Sequence, residues 1–346
     1  VANLIARGLV KGFDGSLNAD GSVTRAEFVT LLYRIAGSFT DAASLADGTQ
    51  AAVLKGDSAL KDVAAGRLCI DCSAAKLSLT NTKVDELTLR CDELDSFTMD
   101  DASSIGTLTL ALGDGGFTLP KGARVGTLRL LRAPKMTADA QTDKVELTGS
   151  GLYANISGKH SVLAVAGSGN TVTLAKDAEL SALTVCGSGN IVAEAGGYGN
   201  SSVSVGSISV WGSKNTVSAT TTGGSAATVY LAGTGCSLHL VPVAGFTAAT
   251  VDGSGSKLDM DPFSDSAVTG PAGTLTLAGS GNNARIWSDS TIGDVKVSAY
   301  GSWLTLNTTG TGTLRLPGSH NTAVKRRRGA PRAAPLAAHG HAPGAC

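Results

Sequence analysis

A doublet of apolar residues, spaced two apart, returns about every twenty residues through most of the chain. The pairs are Leu68/Ile70, Leu87/Leu89, Leu108/Leu110, Leu128/Leu130, Val145/Leu147, Leu163/Val165 and Leu183/Val185. They continue as Ile208/Val210, Val229/Leu231, Ala249/Val251, Leu275/Leu277, Val297/Ala299 and Leu314/Leu316. A fixed period of this size is the mark of a repeat architecture. Alternation with period two inside each copy specifies a strand, because successive strand side chains point to opposite faces. A strand that returns every twenty or so residues is one turn of a parallel β-solenoid.

From Val145 onward each doublet is followed, after one residue, by a Gly-Ser turn: 149–150, 167–168, 187–188, 212–213, 253–254, 279–280, 301–302 and 318–319, with Gly233-Thr234 as the variant. The full form GSGN stands at 167–170, 187–190 and 279–282. Glycine suits a corner that needs positive φ, and asparagine tolerates the left-handed region. Stacked corners put Asn170, Asn190, Asn215, Asn282 and Asn321 in one column, where side-chain amides are expected to hydrogen-bond from turn to turn. Two residues on lies a second apolar column: Val172, Val192, Val217, Leu238, Leu258, Ala284, Leu306 and Ala323. The residue between the columns is mostly polar: Thr171, Thr216, Ser237, Lys257, Asn283, Thr305 and Thr322. Each turn therefore reads strand, glycine corner, strand, connection.

Composition fits a narrow interior with little room for rings, since 4% of residues are aromatic while 45 of 346 are glycine. The expected fold is mainly β: a right-handed parallel β-helix of about 13 rungs over residues 68–324. At about 4.8 Å per rung it is a rod roughly 58 Å long.

Residues 1–37 are a different module. Val1, Leu4, Ile5 and Leu9 fall at helical spacing. Thr24 and Glu27 make a capping box that opens a second helix, whose apolar face is Phe28, Leu31, Leu32 and Ile35, with Gly37 as its stop. The stretch GLVKGFDGSLNADGSVTRAEFVTLLYRIAG, residues 8–37, resembles the S-layer homology module, with the Gly8–Gly12 turn, the DG loop at Asp14-Gly15 and the TRAEF run at 24–28. The resemblance covers about a tenth of the chain. It implies a small α-helical hairpin that binds secondary cell-wall polysaccharide attached to peptidoglycan, commonly polymer bearing pyruvyl ketals. By the family pattern the polymer site is Arg25 with Thr24, Glu27, Gly12 and Asp14. The Arg25 fork suits a carboxylate, whereas Thr24 and Glu27 serve mainly as the cap. The family's first helix usually opens with a Trp-containing segment and its modules usually come in threes. This chain starts with Val and holds one module, so a fragment lacking upstream modules or a signal peptide is expected.

The same loop has an alternative reading. Ser16, Asn18, Asp20, Gly21 and Glu27 approach the spacing of an EF-hand or of half a dockerin, with Ser in place of the first Asp, which would make a calcium-binding attachment module. Residues 38–67, with Leu45, Val53, Leu54, Leu60 and Val63, are expected to link the parts and to cap the rod as a short helix or an irregular first rung. Residues 325–346 hold five of the 28 basic residues and no acid, lack a strand pattern, and read as a disordered basic tail from a frameshifted or truncated end. A nucleic-acid partner is not expected for a surface protein.

Chemical motifs are sparse. Cys69 and Cys72 form a C-x-x-C inside a strand doublet, with no second pair at zinc-site spacing; packing is the expected role, with a Cys72–Cys91 disulfide as the alternative. No catalytic triad signature, HExxH or Walker loop occurs, and no metal or cofactor is expected. A polysaccharide lyase or hydrolase would need clustered carboxylates. The candidates are Asp252, Asp259, Asp261 and Asp265 near Lys257 and Arg285, and a second group of Asp92, Glu93, Asp95, Asp100 and Asp101. Trp211, Trp287, Trp303, Tyr198 and Tyr300 are candidate sugar platforms toward host or environmental glycans. No apolar run reaches membrane-spanning length. Together these features lead to the expectation of a non-enzymatic, extracellular wall or S-layer protein of a Gram-positive bacterium, displaying a rigid rod for structural or adhesive use. A wall-anchored polysaccharide enzyme and the calcium-binding module stand as alternatives.

Overall fold

The computed structural model describes residue 42, residues 45–54, 56–113, 116–133, 135–195, 203–220, 227–241, 245–260 and 272–326, and the pair 336–337. They form a parallel β-solenoid of about twelve turns on two long ladders. The first face runs from Thr49–Leu54 through Val125–Arg132, Glu179–Val185 and Ser204–Val210 to Leu314–Arg315. The second runs from Ser58–Lys61 through Gly116–Leu119, Thr171–Leu174 and Trp303–Thr311 to Thr322–Arg326. In the first turns the chain crosses between the faces without a glycine corner, as single strands Ala64–Thr80 and Lys83–Met99, and absorbs the bend in a register shift at Ala75/Lys76.

The doublets are the floor of the first face. Leu163, Leu183, Ile208, Val229, Ala249 and Leu275 lie in register on successive turns, all buried. The second face supplies the opposite wall with Val172, Val192, Val217, Leu238, Leu258 and Ala284. Each of these aliphatics is covered by its own kind above and below, and burying one such side chain contributes about 1.5–3 kcal/mol.

One turn departs from the predicted alignment. Val295 pairs with Leu275 and Val297 with Leu277, so the doublet here is Val295/Val297, two residues earlier than the predicted Val297/Ala299. Ala299 and Tyr300 take the Gly-Ser slots, as the bridges Ser280–Tyr300 and Tyr300–Ser319 show; Gly301-Ser302 is not the Gly-Ser pair. Leu304, not Leu306, then stands in line with Ala284 and Ala323, and Trp303, not Thr305, stands between the columns. A slip of two residues keeps every side chain on its predicted face, so hydrophobic alternation does not detect it.

The corner glycines have two separate causes. The second glycine of GSGN is left-handed in open space, with φ near 65° at Gly169 and Gly189. Lys214 and His320 hold the same left-handed slot at φ 54° and 58° without glycine's freedom. The first glycine is required by contact: a Cβ on Gly167 would collide with the carbonyl oxygen of Gly149 on the preceding turn.

The asparagine column is present and buried, but its bonds are chiefly not amide to amide. Each side-chain oxygen accepts the backbone N–H of the corner residue one turn back: Asn170 from Leu152, Asn190 from Asn170 and Asn215 from Asn190, all at 2.9 Å. The side-chain nitrogens donate to corner carbonyls, as Asn190 does to Gly167 and Cys186 at 2.8 Å. At two turns without asparagine a hydroxyl substitutes: Ser256 Oγ accepts from Cys236 N–H and Ser302 Oγ from Asn282 N–H.

The solenoid also extends beyond its predicted start. Thr49–Leu54 and Ser58–Lys61, within the predicted linker, form a first rung with Ala52, Leu54 and Leu60 buried. At the far end Leu314 is exposed, and among the described residues its strand pairs on one side only, with Val295–Val297. The predicted basic tail begins inside a strand, since Lys325 and Arg326 complete Thr322–Arg326. Leu336–Ala337 of that tail pair antiparallel with the same strand, which leaves fewer open backbone groups on the last edge.

Candidate functional site

In a solenoid each outward residue stands over its counterpart on the next turn, so any site is a patch of columns. On the second face Ser218, His239, Asp259, Arg285 and Thr305 are successive members of one column. Asp259 is buried, and both its oxygens are held by Arg285: Nε to Oδ1 at 2.7 Å and Nη2 to Oδ2 at 2.8 Å. Lys257 approaches the same carboxylate at 3.6 Å, and the Arg285 guanidinium stacks 5.6 Å from the Trp287 ring centre. The fork-to-carboxylate fit ties two turns together and occupies the oxygens a proton-transfer role would need.

The other predicted acids do not join it. Asp252 is exposed beside the corner of the first face, and Asp261 and Asp265 lie outside the described residues. In the second acidic group Asp92 faces Arg132 at 3.7 Å, and Asp100 caps a turn by accepting from the Ser103 hydroxyl and the Asn81 N–H. The Ser103 hydroxyl bond holds the Asp100 carboxyl below its ordinary range. Glu93, Asp95 and Asp101 are exposed. Among the described residues no group of three His, Cys, Asp or Glu is placed to hold a metal, and no helix is long and apolar enough to cross a membrane.

Two polar groups inside the solenoid were not singled out from the sequence. His160 occupies an inward slot of the first face, in register with Thr142 and Leu180. Its Nε2–H donates to the Ser157 carbonyl at 2.9 Å, which leaves Nδ1 to accept the Thr142 hydroxyl at 2.7 Å. Burial pushes its pKa down. Glu194 stands in register with Leu174 and accepts the Thr220 N–H and hydroxyl. Both fall on inward positions of the repeat, so extending the period to these slots would have found them.

The remaining candidates are dispersed. Cys72 and Cys91 are register partners on adjacent turns, and Cys69 lies opposite Thr88. Cys236 takes the asparagine slot, where burial pushes its thiol pKa up. A groove of about 910 Å³ follows the edge where connections enter the first face, lined by charges of both signs including Lys83, Asp85, Arg124 and Asp143. Trp211, Trp303 and Tyr300 are exposed, Trp287 is half-buried, and Tyr198 lies outside the described residues.

The predicted polymer-binding residues Gly12, Asp14, Thr24, Arg25 and Glu27, and the calcium alternative Ser16, Asn18 and Asp20, also lie outside the described residues. Comparison with known families bears on that segment: residues 1–29 match the S-layer homology domain. No curated protein and no solved structure matches the chain. Domains of this family generally bind cell-wall polysaccharide and mark cell-surface or S-layer-associated proteins. The chain thus joins an S-layer homology segment to a parallel β-solenoid of about twelve turns.

Proposed function

We propose that this chain is held non-covalently on secondary cell-wall polysaccharide of a Gram-positive envelope by its S-layer homology segment. The solenoid then projects as a rigid, non-catalytic rod for structural or adhesive use. The observation that carries the proposal is the juxtaposition of parts. A segment matching a wall-binding family ends at residue 29, and an unbroken stack of paired turns begins at Thr49. A continuous ladder on the first face with long ladders on the second suits a spacer, since each turn is fixed by its neighbours over a length of roughly 60 Å. On the anchor, Arg25 is assigned the anionic sugar because a guanidinium fork matches a carboxylate.

The test is co-sedimentation with purified Gram-positive walls before and after chemical stripping of the secondary polymer, with Arg25→Ala alongside. Binding that is lost on stripping and weakened by Arg25→Ala supports the anchor. Equal binding to stripped walls refutes it. Sugar release from wall or plant polysaccharides on incubation with the chain would overturn the non-catalytic assignment.

A further inference from the structure

On the first face, Trp211, Ala232 and Asp252 hold the same slot on three successive turns. The backbone N–H of each donates to the second doublet residue of the turn before, Val185, Val210 and Leu231 respectively, at 2.8–2.9 Å. Tyr230, on the same turn as Ala232, points outward in register between Ser209 and Thr250. The Trp211 and Tyr230 rings meet edge to face, 6.1 Å apart at 80°. Trp211 is 43% exposed and Tyr230 36%. Asp252 is exposed and takes part in none of the ion pairs among the described residues.

These residues share one outward patch of adjoining columns. Trp211 and Tyr230 supply two rings set at 80°, and the small Ala232 and the exposed Asp252 follow Trp211 on the next two turns of its column. Two rung spacings, about 10 Å, separate the Trp211 and Asp252 backbones. That width suits one pyranose ring with its exocyclic groups. A narrow interior explains why a ring is displaced outward; it does not explain two rings in contact beside an unpaired carboxylate. The chemistry is divided as a sugar requires: ring faces for the C–H side, a carboxylate to accept hydroxyl hydrogens, and the neighbouring hydroxyls of Ser209 and Thr250.

We infer that Trp211, Tyr230 and Asp252 form a binding site for a pyranoside glycan on the flank of the rod. The site supplies a ligand class for the adhesive use proposed above and rests on that use. It is independent of the anchor, so wall binding through Arg25 and glycan binding through Trp211 can fail separately.

The experiment is titration calorimetry of the full chain with cellohexaose, chitohexaose and mannohexaose, with circular dichroism checking the fold of each variant. Saturable binding to at least one is expected. Trp211→Ala should weaken it about tenfold or more, the scale of one lost stacking contact. Asp252→Asn should weaken it about threefold, less than one hydrogen bond to a charged group, because the amide oxygen still accepts. Tyr230→Phe should bind as the native chain does, and Trp303→Ala, on the second face, should have no effect. Absence of binding to all three sugars, or native affinity in Trp211→Ala, overturns the proposal. So does a dimer in sedimentation that Trp211→Ala dissociates, since the occupant would then be a second copy of the chain.

Discussion

Replacing Asn190 with Ala tests the central device of the corner. The side chain is fully buried; its oxygen accepts one bond, and its two N–H hydrogens are shared among three acceptors. Its oxygen accepts the Asn170 N–H at 2.9 Å, and its nitrogen donates to Gly167 and Cys186 carbonyls at 2.8 Å and to Asn215 Oδ1 at 3.1 Å. Alanine leaves the Asn170 N–H without its side-chain acceptor and removes the donor to two carbonyls. One buried donor left unsatisfied costs about 1–3 kcal/mol, and the lost carbonyl bonds and the small void bring the expected total to about 3 kcal/mol. With an m value of about 3 kcal/mol/M the urea midpoint should fall by about 1 M. Solenoids open turn by turn, so the local readout is sharper: the Asn170 amide should exchange about a hundredfold faster. Asn155, outward on Tyr153–Ser157, is the control, and Asn155→Ala should stay within about 0.5 kcal/mol of the native chain. Asn190→Asp adds a signed test. Its second oxygen would face the Gly167 and Cys186 carbonyls, which raises the folded pKa above the unfolded one. That variant should be most stable below about pH 3.9 and lose stability as pH rises through the folded pKa. If Asn190→Ala behaves like Asn155→Ala, the ladder is incidental and the reasoning fails.

Other expectations follow from single sites. Arg285→Ala should destabilise by about 2 kcal/mol, because it strips both fork bonds from a buried carboxylate; Asp259→Asn should cost less, and a urea series ranks the two. His160 is neutral in the fold with a lowered pKa, so its contribution is complete above about pH 6.5 and declines as pH falls toward the folded value, by at most about 1.4 kcal/mol per pH unit. Melting curves from pH 8 to 5 should show that slope, and His160→Gln should remove it. Lys214→Gly should stabilise by about 1 kcal/mol by relieving a left-handed side chain at φ 54°. Gly167→Ala should cost several times more than Gly169→Ala, since the first meets a backbone carbonyl and the second only a φ penalty; comparable losses in thermal melts would refute the distinction.

Much of this architecture was legible in the chain, for a physical reason. Every turn repeats one local problem, so a doublet such as Leu163/Val165 reports its position without long-range information. The Gly-Ser signal and the asparagine column were visible because a tight corner admits few residue types. The slip at 295–306 was not visible, since Ala299 and Tyr300 replace the landmark residues and a two-residue shift preserves alternation. In the sequence the first rung at 49–61 stays open between a short helix and an irregular rung, because Gly56 at φ 73° turns its corner without the Gly-Ser and asparagine landmarks. Site features were harder to read. Asp259 looks like a candidate acid in one dimension, and only the register that sets Arg285 on the next turn shows where its oxygens are directed.

Sequence alone determined the repeat length, the parallel ladders, the inward residues and the wall-binding resemblance of the first module, because each depends on neighbours along the chain or on one repeated period. Tertiary structure decided which residues meet across turns. Trp211 stands beside Tyr230, Asn190 reaches Asn170, and Asp259 is neutralised by Arg285, although these pairs lie 19 to 26 residues apart. Variable connections change the spacing from turn to turn, so the sequence shows each column's pattern while the backbone hydrogen bonds set its register.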